Sequence, residues 1–312
     1  MIVSAAVRRA LPPGSMFSEW LSADGWPIRR LDWPQPTGSK ARGSLIFAGG
    51  RGDFIEKYLE ALAHWHSGGW NVTSFDWRSQ GGSRGDIMGG HLDSFDPLVE
   101  DGAALLKQWM EETSAPHVAV AHSMGGHLLL RIIAEHEPAL SAAVLVAPMI
   151  GINATPVPTS IGRATARTLC SLGWNRLPAW KQNERPAPPG STRQAFLTSC
   201  NERYADEAWW HEQQPGFRLG PPSWGWLDAA YRSIDSLTAP KLHAVDLPIL
   251  LLGTDRDRLV SPTAIRRAAR LLPRVELLMF PHAAHELLRE SDPVRLEALA
   301  RIDGFLDEHS AR

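Results

Sequence analysis

The alternation of two apolar patterns is the feature of this sequence that most restricts its fold. Short runs rich in β-branched and other apolar residues have the character of buried strands and recur at residues 44–48, 71–75, 117–121, 142–147, 248–252 and 275–280. Between them, apolar side chains follow helical spacing at residues 54–66, 98–112, 124–135, 262–272 and 293–308. Strands and helices in regular alternation predict an α/β fold, with a mostly parallel, doubly wound sheet covered by helices on both faces.

The alternation is interrupted once, between residues 153 and 243. No strong strand pattern appears there, prolines separate short helical pieces, and six tryptophans occur: Trp174, Trp180, Trp209, Trp210, Trp224 and Trp226. A structureless loop of this length is uncommon in a compact domain, which favours an inserted helical cap. The sequence therefore predicts a core of residues 1–152 and 244–312 and a cap of residues 153–243. A β-hairpin with arms at 17–21 and 26–33 is expected to precede the parallel strands.

Composition and charge exclude several classes of protein. The 312 residues are 44% hydrophobic, and 32 Lys and Arg are balanced by 34 Asp and Glu. Such a chain can bury a core and has no broad positive field that would attract nucleic acid or anionic membrane. It has no pattern of a signal peptide and no apolar run of the ~20 residues that a spanning helix needs. The two cysteines are expected to be free thiols, and we expect a cytoplasmic protein.

A serine follows one of the predicted strands at a sharp turn. The strand at 117–121 runs directly into His122-Ser123-Met124-Gly125-Gly126, where a helix is predicted to begin. A strand-to-helix elbow of this kind holds a serine at the carboxyl edge of the sheet and needs small flanking residues. The usual pattern is G-x-S-x-G, and here Ala121, which is still small, takes the first position. A serine that merely caps the helix is the simpler alternative, but the preceding buried strand favours Ser123 as a nucleophile.

A serine hydroxyl is a poor nucleophile at neutral pH, so this interpretation requires a histidine base and an acid that orients it. In folds of this kind the acid and then the histidine follow later strands. The strand at 248–252 is followed by Asp255 and Asp257, and the strand at 275–280 by His282 and His285. We predict Asp257 and His285, because apolar residues follow Asp257 and a turn of small residues precedes His285. His282 is expected to be structural or to face solvent.

Acyl transfer also needs hydrogen-bond donors for the oxyanion. The expected donors are the backbone N–H groups of Met124, the residue after the nucleophile, and of Arg51, in the Gly49-Gly50-Arg51-Gly52 loop. This loop lacks the lysine and hydroxyl of a phosphate loop, so nucleotide binding is not predicted. His64 and His66 have the spacing of metal ligands but no matching carboxylate or cysteine cluster. We therefore expect neither a metal nor another cofactor.

With these residues identified, the sequence resembles serine hydrolases of the α/β-hydrolase superfamily, and more narrowly the lysophospholipase and monoacylglycerol-lipase branch. The narrower resemblance rests on residues 50–58, 76–83, 122–126, 215–221 and 285–288, and the whole resemblance spans about residues 17–306. Members of this branch often have His-Gly at positions 49 and 50 and glycine at position 79, where this chain has Gly-Gly and serine. The resemblance implies the α/β-hydrolase fold, with Ser123 as nucleophile, Asp257 as acid, His285 as base, and the amides of Arg51 and Met124 as oxyanion hole.

The resemblance also implies a function: hydrolysis of carboxylic esters, with lysophospholipids or monoacylglycerols as substrates and an acyl-enzyme intermediate. Apolar side chains of the cap would line a pocket for the acyl chain, and membrane contact is expected to be at most weak, peripheral and made through the cap. Two alternatives stay open. An aminopeptidase-type hydrolase of this fold would need an acidic group in the cap, such as Glu202, Asp206 or Glu207. A non-catalytic homologue would use the pocket only to hold a ligand.

Overall fold

The structure is a computed structural model that describes residues 3–85, 90–154, 156–180 and 190–310. Parts of the predicted core (residues 1–2, 86–89 and 311–312) and of the predicted cap (155 and 181–189) lie outside these ranges. The strands are β1 (Met16–Leu21), β2 (Pro27–Trp33), β3 (Gly43–Ala48), β4 (Trp70–Phe75), β5 (His117–His122), β6 (Ala142–Val146), β7 (Ile249–Thr254) and β8 (Val275–Phe280).

Apart from a short helix at residues 5–8, the helices fall where the sequence places helical spacing or lie in the stretch between β6 and β7. They are α1 (Ala5–Arg8), α2 (Leu59–Ser67), α3 (Asp96–Glu112), α4 (Met124–His136), α5 (Thr159–Ser171), α6 (Thr192–Leu197), α7 (Asn201–Gln213), α8 (Trp224–Ser236), α9 (Ala239–His243), α10 (Pro262–Ala269) and α11 (Asp292–Ser310). Among the described residues, no helix combines the length and the apolar character needed to cross a membrane.

The strands form one sheet in the order β1-β2-β4-β3-β5-β6-β7-β8. The hairpin strands β1 and β2 pair antiparallel, β2 pairs antiparallel with β4, and all other neighbours are parallel. This confirms the predicted fold class. Because the carboxyl ends of parallel strands meet at the same edge, the loops that follow β3, β5, β7 and β8 lie close together.

Alternating side chains of the buried strands support two separate cores, one on each face of the sheet. On one face, Leu45 and Phe47 of β3 pack in a cluster with residues of α2 and α11. On the other, Ile46 of β3 and Ala119 of β5 pack in a cluster with residues of α3, α4 and α10. Burial of each such Leu, Ile or Phe side chain stabilises the folded state by roughly 1.5–3 kcal/mol. Both faces are therefore covered, as a parallel sheet requires.

Helices α5 to α9 make up the described part of the segment between β6 and β7, here called the β6–β7 segment. Its tryptophans differ in burial: Trp210 and Trp226 are buried, Trp209 and Trp224 are partly buried, and Trp174 and Trp180 are exposed. Polar contacts join the segment to the core, as when His127 of α4 lies 2.6 Å, Nε2 to Oγ, from Ser233 of α8. Trp226 packs in the same apolar cluster as α3 and α4.

Candidate active site

The backbone at Ser123 forms a strained turn between β5 and α4. Its φ and ψ angles are 53° and −117°, a region that costs a non-glycine residue about 1–3 kcal/mol. The surrounding hydrogen bonds hold it there: the Ser123 N–H donates to the Val146 carbonyl over 2.9 Å, and the Ser123 carbonyl accepts from the N–H groups of His127 and Met149. The side chain is thereby presented at the carboxyl edge of the sheet.

Close backbone packing around the elbow explains its small residues. A Cβ added to Gly125 would overlap the carbonyl oxygen of Gly49, and one added to Gly50 would lie 2.8 Å from the Ser123 Cβ. Ala121, which stands where glycine is usual, is fully buried in β5 and pairs with Ala48 of β3. The methyl group of Ala121 is accommodated on the face packed by α4, so the elbow forms without the first glycine.

The structure brings together Ser123, His285 and Asp257, which the sequence places far apart. His285 Nε2 lies 2.9 Å from Ser123 Oγ, and His285 Nδ1 lies 2.7 Å from Asp257 Oδ2. The other carboxylate oxygen of Asp257 accepts hydrogen bonds from the N–H groups of Leu259 and Val260, over 2.8 and 2.9 Å. These bonds fix the carboxylate toward the imidazole.

The two alternative residues lie elsewhere. Asp255 is exposed and forms an ion pair with Arg266 of α10 over 2.5 Å. His282 is exposed as well, whereas His285 and Asp257 are buried. The geometry therefore joins Ser123 to Asp257 and His285 and leaves Asp255 and His282 outside the hydrogen-bonded chain.

Two opposing effects act on the basicity of His285. Burial alone would lower the pKa of the imidazole, because it disfavours the charged form. The carboxylate of Asp257 raises it through its charge and its hydrogen bond, and the net pKa of His285 lies above its ordinary value of 6.5. The arrangement makes His285 a stronger base than a free imidazole and favours the imidazolium that would form when it accepts a proton.

The two predicted oxyanion donors belong to different parts of the chain. Met124 is the first residue of α4, and the first N–H groups of a helix have no intrahelical acceptor. Arg51 lies in the loop after β3, where its guanidinium donates to the Gly220 carbonyl over 2.9 Å and lies over the Trp226 ring. The assignment of the Met124 and Arg51 amides as oxyanion donors stays a prediction.

A second histidine, His122, lies beside the site, and its side-chain contacts were not predicted from the sequence. His122 Nδ1 lies 3.0 Å from Asp53 Oδ2 and 2.9 Å from Tyr58 Oη, and its ring centroid is 4.8 Å from that of His285. The same Asp53 oxygen accepts from the Gly50 N–H over 2.6 Å and from the Tyr58 hydroxyl over 3.0 Å. Asp53 therefore ties the elbow to the loop after β3.

A buried network of charged side chains continues from Asp53. Lys57 Nζ lies 2.7 Å from Asp53, 2.6 Å from Glu286 and 3.2 Å from Glu207, measured to carboxylate oxygens. Two arginines complete the network by pairing with Glu207: Arg193 and Arg289. We call these six residues the Lys57 network; its three cations balance its three carboxylates. Its sequence signals are the spacings of Asp53 and Lys57 and of Glu286 and Arg289, which suit local ion pairs.

The charges of this network keep its members ionised despite burial. Burial raises the pKa of the Asp53 carboxyl. Lys57 and His122 lower it by more than burial raises it, so the net pKa lies well below the ordinary value. Burial lowers the pKa of Lys57, and its three carboxylates raise it to a net value above the ordinary one. The network is thus a fixed, compensated set of charges that joins the loop after β3, the β6–β7 segment and the loop carrying His285.

Backbone hydrogen bonds also attach the β6–β7 segment to the loop that carries His285. The N–H groups of His285 and Glu286 donate to the carbonyls of Phe196 and Leu197, over 3.3 and 2.8 Å. The buried hydroxyl of Thr198 donates to the Arg289 carbonyl over 2.8 Å. The end of α6 therefore helps to hold the catalytic candidate His285 in place.

Two of the three acidic residues considered as amine-binding groups have internal partners. Asp206 pairs with Arg8 and Arg9 over 2.5 and 2.7 Å, and Glu207 belongs to the Lys57 network. Glu202 is exposed, with its carboxylate 3.5 Å from Cys200 Sγ. Neither Asp206 nor Glu207 is left with a free charge for a substrate amine.

His64 and His66, which have the spacing of metal ligands, contact different partners. His64 Nε2 lies 2.7 Å from an Asp303 oxygen, and the His66 ring stacks on Trp33 with centroids 3.9 Å apart. His66 Nε2 also lies 3.0 Å from the Pro34 carbonyl oxygen. These contacts agree with the interpretation of both histidines as helix surface residues.

A family model with the description "Serine aminopeptidase, S33" (Hydrolase_4) matches residues 39–292, which is more than half of the chain and includes Ser123, Asp257 and His285. The chain belongs to this S33 family. Among relatives of this S33-family chain, the "Probable lysophospholipase L2" of Haemophilus influenzae is 28% identical over 282 residues, covering 87% of this chain and 86% of the relative. The "Monoacylglycerol lipase" of Mycolicibacterium smegmatis is 22% identical over 254 residues, covering 80% and 84%.

Solved structures show the fold of this S33-family chain. A soluble variant of monoglyceride lipase from Saccharomyces cerevisiae, in complex with a substrate analog, superposes with a TM-score of 0.74 at 16% identity, covering 97% of this chain and 98% of that one. A thermostable carboxyl esterase from Bacillus coagulans gives a TM-score of 0.76 at 18% identity, covering 96% and 100%. At these identities the likeness concerns the fold, and it agrees with the predicted α/β-hydrolase architecture.

Proposed function

We propose that this chain is a serine hydrolase that cleaves the carboxylic ester of a lysophospholipid or a monoacylglycerol. The hydrogen-bonded chain from Ser123 Oγ through His285 to Asp257 is the observation that carries the proposal. The names of the lysophospholipase and monoacylglycerol lipase relatives support the choice of ester substrates. The internal pairing of Asp206 and Glu207 leaves Glu202 alone among the three acids considered for the aminopeptidase alternative, which weakens that alternative.

The proposed reaction proceeds through an acyl-enzyme. Ser123 Oγ attacks the ester carbonyl carbon while His285 Nε2 accepts the hydroxyl proton, and Asp257 holds the Nδ1–H tautomer and stabilises the imidazolium. The amides of Met124 and Arg51 donate to the oxyanion of the tetrahedral intermediate. His285 then returns the proton to the leaving alcohol. A water molecule, deprotonated by the same histidine, attacks the acyl-enzyme and releases the fatty acid.

The β6–β7 segment acts in this proposal as the cap that covers the substrate. Its hydrogen bonds to the loop of His285 support a position over the carboxyl edge of the sheet. Its exposed apolar side chains support a weak peripheral contact with a lipid surface, and they include Val157, Ile161, Leu172, Trp174, Leu177 and Trp180. Binding of an acyl chain needs mainly apolar walls, which a cap of this composition can supply.

A substrate panel tests the proposal. Turnover is measured for short p-nitrophenyl esters, monoacylglycerols, lysophospholipids and aminoacyl anilides, with the unmutated protein and with Ser123→Ala. We expect hydrolysis of the esters and glycerolipids, no comparable hydrolysis of the anilides, and loss of turnover in the folded variant. A preference for aminoacyl anilides would support the aminopeptidase alternative. Binding of lipid without any turnover would support a non-catalytic homologue.

A further inference from the structure

A second feature of the structure is a cavity of about 630 Å³ beside the loops that carry Asp257 and His285. Its walls come from the loops after β7 and β8 and from the chain around α6, including Ser191 and Gln194. Arg256 and Arg258, one residue to either side of Asp257, line it, as does Ala284, the residue before His285. The cavity therefore borders both loops that supply the acid and the base.

Among the described residues that line this cavity, there are two arginines and one carboxylate. Arg256 and Arg258 are exposed, and neither forms an ion pair with any residue in the described ranges. The Arg258 guanidinium lies 5.8 Å from the centre of the Phe196 ring. A protonatable side chain, His282, lines the same cavity. We call this site the basic cavity.

One carboxylate, Glu290, is present among the described lining residues, and its oxygens are already occupied by internal donors. They accept from the N–H groups of Ser199, Ala284 and Ser291 and, over 2.5 Å, from the Ser199 hydroxyl. Glu290 is thus used to hold the loop of His285 against the β6–β7 segment. Arg256 and Arg258 remain the groups that an incoming anion would meet.

We propose that the basic cavity binds the phosphate of a lysophospholipid headgroup, an inference that rests on the proposed ester hydrolysis at Ser123. Guanidinium groups match phosphate oxygens with paired, charge-assisted hydrogen bonds. In a lysophospholipid, only the glycerol carbons separate the scissile ester from the phosphate. The loops that carry Asp257 and His285 each supply residues that line the cavity.

A phosphate site in the basic cavity would distinguish lysophospholipids from monoacylglycerols. A monoacylglycerol carries the same ester on glycerol but no phosphate, so it gains nothing from Arg256 and Arg258. The basic cavity therefore selects the lysophospholipid, while the serine, the histidine and the acyl pocket treat both substrates alike.

Kinetics with two matched substrates test this selection. 1-Octanoyl lysophosphatidylethanolamine and 1-octanoyl glycerol are compared below their critical micelle concentrations, so that surface binding does not contribute. The test variant is the double substitution Arg256→Gln and Arg258→Gln. The control is Arg267→Gln with Arg270→Gln, which removes the same charge from two exposed arginines of the α10 region that line none of the cavity.

The expected result is a loss of about tenfold or more in kcat/KM for the lysophospholipid in the test variant, the scale of a charged hydrogen bond. The kcat/KM for octanoyl glycerol is expected to stay unchanged, and the control is expected to leave both substrates unaffected. Inorganic phosphate at millimolar concentration should raise the KM for the lysophospholipid in the unmutated protein and not in the test variant.

Several results would overturn the proposal. Equal losses on both substrates, or no loss on either, would show that the arginines do not read the headgroup. A rise in melting temperature caused by phosphate and abolished in the test variant, with unchanged lysophospholipid kinetics, would assign the cavity to free phosphate instead. Absence of turnover of either substrate by the unmutated protein would contradict the proposed function itself, and this inference with it.

Discussion

Asp255 and Asp257 have opposite environments, and this difference favours Asp257 as the acid that orients His285. Asp257 is buried and hydrogen bonded to His285, whereas Asp255 is exposed and paired with Arg266. We predict that Asp257→Asn lowers kcat by about 10³–10⁴-fold, because an amide favours the wrong imidazole tautomer. Asp255→Asn should change kcat by less than about threefold, since it removes only a surface ion pair. Kinetics on a p-nitrophenyl ester measure both, and greater damage from Asp255→Asn would refute the assignment.

The raised pKa of His285 predicts the pH dependence of activity. The imidazole must be neutral to accept the proton of Ser123, so kcat/KM should fall as the pH decreases through the pKa of His285. Burial lowers that pKa, but Asp257 raises it, and the midpoint of the acid limb should lie above 6.5. A pH profile of kcat/KM reports this group in the free enzyme. A midpoint clearly below 6.5 would mean that burial outweighs Asp257.

Two residues that depart from the usual sequence pattern, Ser79 and Ala121, have different local environments. Ser79, where related sequences often have glycine, has a φ angle of 70°, a conformation that glycine adopts without strain. Ala121 keeps the elbow compact because its methyl group has space in the packed core beside α4. The sequence identified both positions as unusual but contained no information on the backbone angle or the space that each one has.

Among the structural elements, the turn that precedes α2 places a lysine among buried carboxylates. Lys57 in this turn has a side chain that is 3% exposed and touches three carboxylates. Lys57→Met should lower the free energy of unfolding by about 3–5 kcal/mol, because it leaves these carboxylates partly uncompensated. Lys241→Met is the matched control: its side chain is 41% exposed, and the loss should stay below about 1 kcal/mol.

Urea denaturation with linear extrapolation measures both changes. Equal stability of Lys57→Met and the unmutated protein would show that the Lys57 network contributes nothing net to folding.

A second prediction concerns the close packing at the start of α4. A Cβ at Gly125 would overlap the backbone carbonyl oxygens of Gly49 and Ala48, so Gly125→Ala must push the elbow away from the loop after β3. We expect a destabilisation of about 1–3 kcal/mol together with loss of esterase activity. Gly304→Ala in α11 is the control, since no atom lies within 4 Å of its added Cβ. That change should stabilise the protein by about 0.5–1 kcal/mol.

Thermal or urea unfolding and a p-nitrophenyl ester assay provide the two measurements. An active and fully stable Gly125→Ala protein would show that the elbow has more room than the packing indicates.

For the whole molecule, local pattern was sufficient to predict the fold. The strands of the parallel sheet lie within two residues of their predicted bounds at each end, because period and apolar runs are local properties. The predicted helix at 54–66 instead begins with a 3-10 turn at Ile55–Tyr58. There the Ile55 N–H donates to Asp76 at the end of β4, over 2.9 Å. A long-range contact therefore altered the start of a locally predicted helix.

The site was predictable to the extent that topology orders it along the chain. Ser123, Asp257 and His285 each follow a parallel strand, so their meeting at one edge follows from the sheet. The Lys57 network was not predictable, because its members come from the turn before α2, from α6 and α7, and from the loop after β8. The basic cavity depends in the same way on how α6 lies against two loops.

The central property proposed for this protein is that Ser123 is an activated nucleophile. Labelling of the folded protein with a fluorophosphonate probe, followed by mass-spectrometric mapping of the modified residue, tests it most directly. The account predicts a single modified residue, Ser123, with labelling abolished in Ser123→Ala and strongly slowed in His285→Ala. Folded protein that does not react at Ser123, or reacts equally well in His285→Ala, would contradict the account.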